Sequence, residues 1–102
     1  MRIYYERSGG FAGLRQEITL DSQSIDAEEA GELQKLVEQA GFFDLPARIT
    51  APGTGADQFQ YRITVESGPR RHTVEAGEAS IPAALQPLLD RLAALARTKR
   101  QS

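Results

Sequence analysis

The sequence offers few of the residue types that carry catalysis or bind metals. Its 102 residues include one histidine, His72, and no cysteine. The missing cysteines exclude a disulfide framework, a thiolate zinc site and a cysteine nucleophile. A lone imidazole beside Arg70 and Arg71 is a poor cation ligand, since a zinc site needs several converging ligands. We therefore interpret His72 as a half-buried strand residue and expect no metal or cofactor in this chain.

Acid–base and nucleophilic catalysis have equally little support. Two catalytic carboxylates must converge in a cleft, whereas half of the acidic residues fall within 21–44, where a solvated helix face accounts for them. Ser8 is the one serine in a distinctive setting, but a triad would have to recruit His72 across the fold. The sequence therefore predicts a protein that is not an enzyme.

Two glycine-rich segments invite comparison with phosphate-binding loops. They are "SGGFAG" at 8–13 and "PGTGAD" at 52–57. A P-loop carries a lysine and leads into a helix, and both of these segments lead into predicted strands instead. Neither presents a helix amino terminus to an anion, which leaves recognition of another protein as the function to consider.

Phe11 is the one large side chain in 8–13, with Gly9 and Gly10 before it and Gly13 close behind. Its small neighbours could not cover the ring on a surface. Two interpretations stay open. The loop can curl inward so that Phe11 closes the end of the core, or the ring can stand outward as an anchor for a binding partner.

Period-2 alternation of apolar and polar residues predicts four strands around these loops. The segments 2–7 and 14–20 form a first hairpin, and 58–67 and 70–77 form a second one through the turn at 68–69. Glycine supplies the permissive backbone that the first hairpin loop needs.

Helical spacing predicts one helix after each hairpin. Asp26 and Glu29 have capping-box spacing at the start of the first helix, and Gly41 is suited to end it. Ser80 is the expected cap of the second helix, with 81–86 forming a separate turn because Pro87 is awkward inside a helix. The predicted fold is α+β, in the order β-β-α-β-β-α. Two β-hairpins form an antiparallel four-stranded sheet, and both helices pack on one face.

Length and charge predict a single small domain at 1–98 and a basic tail at 99–102. The basic residues near the end are too sparse to predict nucleic-acid binding; they are Arg91, Arg97, Lys99 and Arg100. No apolar run is long enough for a signal sequence or a membrane span. We expect a cytoplasmic monomer without nucleic-acid or membrane partners, although the strand at 70–76 could offer an exposed edge for pairing.

Four motifs resemble those of the emfourin family. Its members inhibit protealysin-like peptidases, and these peptidases are a branch of the thermolysin-type zinc metallopeptidases. The four motifs are "MRIYYERSGGFAGL", "FFDLP", "PGTGADQFQYRITVE" and "IPAALQPLLDRL". The resemblance extends over about residues 2–97. It implies a small α+β bacterial cytoplasmic protein that blocks the active site of its target peptidase, the zinc belonging to the peptidase.

The target's chemistry suggests which residues bind it. Thermolysin-type enzymes resemble one another in favouring a bulky apolar residue just after the scissile bond. We therefore expect the segment 8–13 to enter the cleft with Phe11 in its apolar pocket. The residues of this predicted site are Ser8, Gly9, Gly10, Phe11, Ala12 and Gly13, and the expected secondary contacts are Pro52, Gly53, Thr54, Gly55 and Asp57. The alternative is a non-enzymatic interaction or regulatory module with a different partner.

Overall fold

The computed structural model of the chain describes residues 1–9, 14–49 and 59–101. Within these ranges there are five strands, two α-helices and two short 3₁₀ turns, at Phe42–Asp44 and Glu78–Ser80. In chain order these elements are β1 (Arg2–Gly9), β2 (Leu14–Asp21), α1 (Ala27–Ala40), β3 (Arg48–Ile49), β4 (Phe59–Ser67), β5 (Arg70–Gly77) and α2 (Gln86–Gln101).

One mixed sheet, in the order β2-β1-β4-β5-β3, joins the two hairpins. β1 is the joining strand, because its full length pairs antiparallel with β2 on one side and β4 on the other. Ile3 is therefore aligned with both Leu20 and Val65. Side chains alternate between the two faces of a strand, so these apolar residues share one face of the sheet.

The α+β class is confirmed, but the four-stranded antiparallel sheet is wrong in detail. A fifth strand, β3, pairs parallel with β5, so that Arg48 is aligned with Glu75 and Ile49 with Ala76. The backbone N–H of Glu75 also donates to Ala47 O at 2.8 Å. Two residues are too few to produce an alternating pattern, so periodicity could not reveal this strand.

α1 begins and ends where its capping residues predict. A carboxylate oxygen of Asp26 accepts from the backbone N–H of Glu28 at 3.2 Å, and Gly41 ends the helix in the left-handed conformation with φ 60°. The Glu29 half of the predicted capping box is replaced by a tertiary contact. Both carboxylate oxygens of Glu29 accept from the guanidinium of Arg91, which ties α1 to α2.

The prediction for Ser80 is wrong, whereas the separate turn before α2 is confirmed. Ser80 lies in the second 3₁₀ turn, several residues before α2 begins. Its hydroxyl donates to the backbone oxygens of Ile49 and Gly77 instead. Pro87 falls in the first turn of α2, where a missing N–H costs no helical hydrogen bond.

Both helices share a single hydrophobic core with one face of the sheet. Leu33 of α1 and Leu88 and Leu92 of α2 are fully buried in it. Its members are Ile3, Tyr5, Ile18, Leu20, Leu33, Val37, Ala40, Phe42, Ile63, Val65, Val74, Leu85, Leu88, Leu89, Leu92 and Ala96. Among the residues that the structure covers, no helix is long and apolar enough to cross a membrane.

Two glycines of similar surroundings should respond in opposite ways to alanine. A Cβ atom at Gly41 or Gly31 would meet nothing within 4 Å, but only Gly41 has a positive φ. We expect Gly41→Ala to destabilise the fold by about 1 kcal/mol through backbone strain. We expect Gly31→Ala, inside α1, to stabilise it by up to about 1 kcal/mol. Thermal melting of both variants checks this, and a shift of the same sign would contradict it.

Tyr5 should make stability fall at high pH. Burial raises the pKa of its phenol from 10.0 to about 12, so the folded chain keeps the phenolic proton over a range where the unfolded chain has lost it. Stability from this group is intact below pH 10 and is lost as pH rises from 10 toward 12, at about 1.4 kcal/mol per pH unit. Tyr5→Phe should lack this component when urea unfolding is compared at pH 9 and 11. Equal losses in both proteins would contradict the assignment.

Candidate functional site

The residues that flank both glycine-rich segments lie at one end of the sheet. Gly9, the last residue of β1, is aligned with Leu14 of β2 and with Phe59 of β4. β3 runs parallel to β5 and ends at Ile49, opposite Ala76, which is aligned in turn with Tyr61. The segments 10–13 and 50–58 therefore both start and finish at this same end of the sheet. We call the four flanking residues Gly9, Leu14, Ile49 and Phe59 the loop end.

Most of the predicted site residues fall outside the residues that the structure describes. Ser8 and Gly9 are described. The other predicted contacts, which lie beyond the described ranges, are Gly10, Phe11, Ala12, Gly13, Pro52, Gly53, Thr54, Gly55 and Asp57.

Gly9, at the end of β1, has a backbone conformation that favours glycine. Its φ of 93° lies in the left-handed region, which residues with a Cβ atom rarely adopt. Ser8, just before it, is half-buried and lies on the sheet face opposite the helices, aligned with Arg15 and Gln60. The strand thus remains regularly paired up to the residue where the chain departs.

Arg7 and Glu78 fix the start of β4 at the loop end. The guanidinium carbon of Arg7 lies 4.6 Å above the centre of the Phe59 ring, a cation–π contact. A carboxylate oxygen of Glu78 accepts from the backbone N–H of Phe59 at 3.0 Å. This carboxylate extends the β4–β5 ladder beyond its last backbone pair, so β4 is held at its first residue.

Ser80 fixes the end of β3. Its hydroxyl lies 3.0 Å from Ile49 O and 3.1 Å from Gly77 O. One side chain therefore bridges the last residue of β3 and the last residue of β5. Together with Glu78, it anchors both sides of the 50–58 segment to the same short turn after β5.

Ser8 and His72 do not form a catalytic pair. Ser8 lies near the loop end on the face away from the helices, whereas His72 is aligned with Val65 on the helix-covered face. Gly77 lies five positions after His72 along the strand, which amounts to about 17 Å. The His72 ring makes a 2.7 Å hydrogen bond to Leu45 O and packs edge-on against Phe42, as a partly buried structural histidine.

Charges of alternating sign cross the face opposite the helices. The row connects Arg15 of β2, Glu6 of β1, Arg62 of β4, Glu75 of β5 and Arg48 of β3. Its nitrogen–oxygen distances run from 2.7 Å for Arg15–Glu6 to 3.7 Å for Arg62–Glu6. The carboxylates of Glu17 and Glu6 raise the pKa of the Arg15 guanidinium. These charges are largely paired with one another.

Sequence reasoning missed Arg7, Glu78 and Ser80 as supports of the site. The cation–π contact of Arg7 depends on the pairing of β1 with β4, which joins strands about fifty residues apart in the chain. The position of Glu78 directly after β5 indicates its contact with Phe59 only once the register between β4 and β5 is known. Across 1–9, 14–49 and 59–101, no group of three or more His, Asp or Glu side chains is arranged to hold a metal.

The loop end is thus a set of anchored strand termini, the arrangement of a protein that presents loops from a rigid scaffold. A family model described as Emfourin matches residues 5–93, most of the chain. The chain therefore belongs to the Emfourin family, which confirms the resemblance and implies, in general, a metallopeptidase-inhibitor role. Neither a curated protein nor a solved structure matches it significantly.

Removing the Glu78 carboxylate should loosen the start of β4. Glu78→Ala leaves the Phe59 N–H without its acceptor, and a loss of about 1 kcal/mol corresponds to roughly fivefold faster exchange of that amide proton. Glu78→Gln keeps an acceptor oxygen and should preserve the protection. NMR-detected hydrogen exchange at Phe59 measures this directly. Equal exchange in all three proteins would remove Glu78 from the supports of this end.

Proposed function

We propose that this chain inhibits a thermolysin-type, protealysin-like zinc metallopeptidase by filling its active-site cleft with the loop 8–13. In this proposal the chain is a bacterial cytoplasmic monomer that needs no cofactor and catalyses nothing itself. Family membership supports the class of partner. The observation that carries the mode of action is the double pairing of Gly9, which is aligned with Leu14 and Phe59 in the two neighbouring strands.

An anchored loop can bind a peptidase without being consumed. Both strands that flank 10–13 are paired along their length, so a cleaved loop would keep both new ends in the cleft, where the bond can re-form. Prior ordering of the flanking strands also lowers the entropy lost on binding. The supports by Arg7 and Glu78 extend this ordering to β4.

Phe11 is the proposed anchor in the apolar pocket of the cleft. Thermolysin-type enzymes favour a bulky apolar residue just after the scissile bond, and Phe11 is the one bulky side chain between Gly9 and Leu14. Buried aromatic anchors commonly dominate the energy of an interface. Backbone groups of Gly9, Gly10 and Ala12 would then pair with the walls of the cleft.

The segment 50–58 is the proposed second contact. Its flanking residues Ile49 and Phe59 belong to the loop end, next to Gly9. A partner that reaches the first loop would therefore approach the second one. The proposed contacts there are Pro52, Gly53, Thr54, Gly55 and Asp57.

Titration of a thermolysin-type peptidase with the purified chain tests the proposed function. We expect stoichiometric loss of hydrolysis of a small peptide substrate, with the chain recovered intact from the complex. Full hydrolysis at excess chain would overturn the proposal. Degradation of the chain at the rate of an ordinary substrate would overturn it as well.

Phe11 should contribute to inhibition far more than to folding. We expect Phe11→Ala to weaken inhibition by about 2 kcal/mol or more, roughly thirtyfold or more, and Phe11→Asp to weaken it further by placing a charge in an apolar pocket. Melting temperatures should stay close to that of the wild type.

Phe43→Ala is the matched control. Phe43 lies beneath Arg70, 4.1 Å from its guanidinium, at the opposite end of β5 from Gly77. Its replacement should lower stability and leave inhibition by the folded protein unchanged. Unchanged inhibition by Phe11→Ala together with a large loss of stability would instead assign Phe11 to the core.

A further inference from the structure

The backbone hydrogen bonds of β2 alternate between its neighbour and the outside of the sheet. The backbone N–H of Ser22 donates to Met1 O at 2.8 Å, and Arg2 is aligned with Asp21. In an antiparallel pair such bonded positions recur at every second residue. The even residues of β2 therefore bond to β1, and the N–H and C=O groups of Arg15, Glu17 and Thr19 point away from the sheet.

The structure describes no strand on this outer edge of β2, whereas β3 covers part of the opposite edge of the sheet. β2 is the outermost strand and is paired with β1 alone among the strands that the structure describes. At the opposite edge of the sheet, β3 pairs with β5, and the ring of His72 in β5 is hydrogen-bonded to Leu45 O. The sequence-based expectation that 70–76 is an exposed edge is therefore wrong for its last residues, where β3 lies.

We propose that the outer edge of β2 binds an extended segment of the target peptidase as an additional strand of the sheet. This inference rests on the proposed function and adds a further part to the same interface. β2 begins at Leu14, directly after the loop proposed to enter the cleft, so a wall of that cleft would run beside β2. The outward groups of Arg15, Glu17 and Thr19, which pair with no other described strand, extend over about 14 Å, enough for main-chain pairing with a short extended segment.

The side chains around this edge favour recognition through the backbone. Arg15 is already paired with Glu6 at 2.7 Å and with Glu17 at 3.1 Å. Gln16, Ile18 and Leu20 are buried under α2 and the rest of the core. The outward N–H and C=O groups thus remain as the binding groups.

A second copy of this chain is the competing occupant. Charge does not separate the two occupants. In symmetric antiparallel pairing, a dyad at Glu17 sets that carboxylate opposite its own copy, which is destabilising, whereas a dyad at Ile18 sets Arg15 opposite Asp21. The turn after β2 shortens the usable edge, because the backbone N–H of Ser24 donates to Asp21 O at 2.8 Å. Continuity with the inhibitory loop favours the peptidase.

Replacing single edge residues by proline tests the role of the backbone. Glu17→Pro removes one outward N–H, and proline is tolerated in edge strands where the N–H faces solvent. We expect inhibition to weaken about tenfold or more, since one main-chain bond and its neighbours are lost. Arg71→Pro is the matched control. Glu75 N–H faces β3, so the N–H of Arg71, at the same parity in β5, also points away from β4, on the far edge. The Arg71→Pro variant should therefore inhibit like the wild type.

Hydrogen exchange on the unmodified chain provides a second measurement that does not depend on a variant folding. In the free protein the amide protons of Glu17 and Thr19 should exchange rapidly, and those of Gln16 and Ile18 slowly. In the complex with the peptidase, Glu17 and Thr19 should become at least tenfold slower. Rapid exchange at both residues in the complex would overturn the inference.

The outcomes separate this inference from the proposed function. If the wild type inhibits, Phe11→Ala does not, and Glu17→Pro inhibits as tightly as the wild type, the edge inference fails and the function stands. If the wild type does not inhibit at all, both fail. If sedimentation shows a dimer that Glu17→Pro converts to a monomer with unchanged inhibition, the edge binds a second copy and the inference is overturned.

Discussion

The pairing of β1 with strands on both sides is the constraint on which the rest of the structure depends. β1 is the first strand in the chain, yet it lies inside the sheet, between β2 and β4. That position aligns one residue, Gly9, with the strand that follows it and with a strand about fifty residues away. Because of this alignment, two glycine-rich segments that are distant in sequence depart from neighbouring points.

The two faces of the sheet have different roles: one contributes to stability and the other to solubility. One face is covered by α1 and α2, whose leucines bury its aliphatic residues. The other face carries the row of alternating charges from Arg15 to Arg48, which stays hydrated and contributes little to stability for each exposed pair. Specific polar contacts appear where strands end, as in Glu78 with Phe59 and Ser80 with Ile49. Side-chain contacts therefore hold the scaffold next to the segments proposed to bind.

Local patterns predicted the elements of the fold well and their tertiary arrangement less well. Alternation in β1, β2, β4 and β5, Asp26 and Gly41 at the ends of α1, and the turn before Pro87 all act within a few residues. β3 has two residues and no pattern. Glu29 and Ser80 took tertiary partners, Arg91 and Ile49, far away in the sequence. For the site, glycine content predicted loops at two segments that lie mostly outside the described residues, whereas the roles of Arg7 and Glu78 follow only from the β1–β4–β5 register.

The position of α2 in the chain has a consequence for biosynthesis. α2 follows every strand that the structure describes, and with Leu85 it supplies a large share of the buried aliphatic side chains, including Leu88 and Leu92. While the ribosome is still translating this helix, the inner face of the sheet has no cover from it, and nascent chains with exposed apolar surface are prone to aggregate. The completed sheet is thus protected only once the last helix has emerged from the exit tunnel and docked.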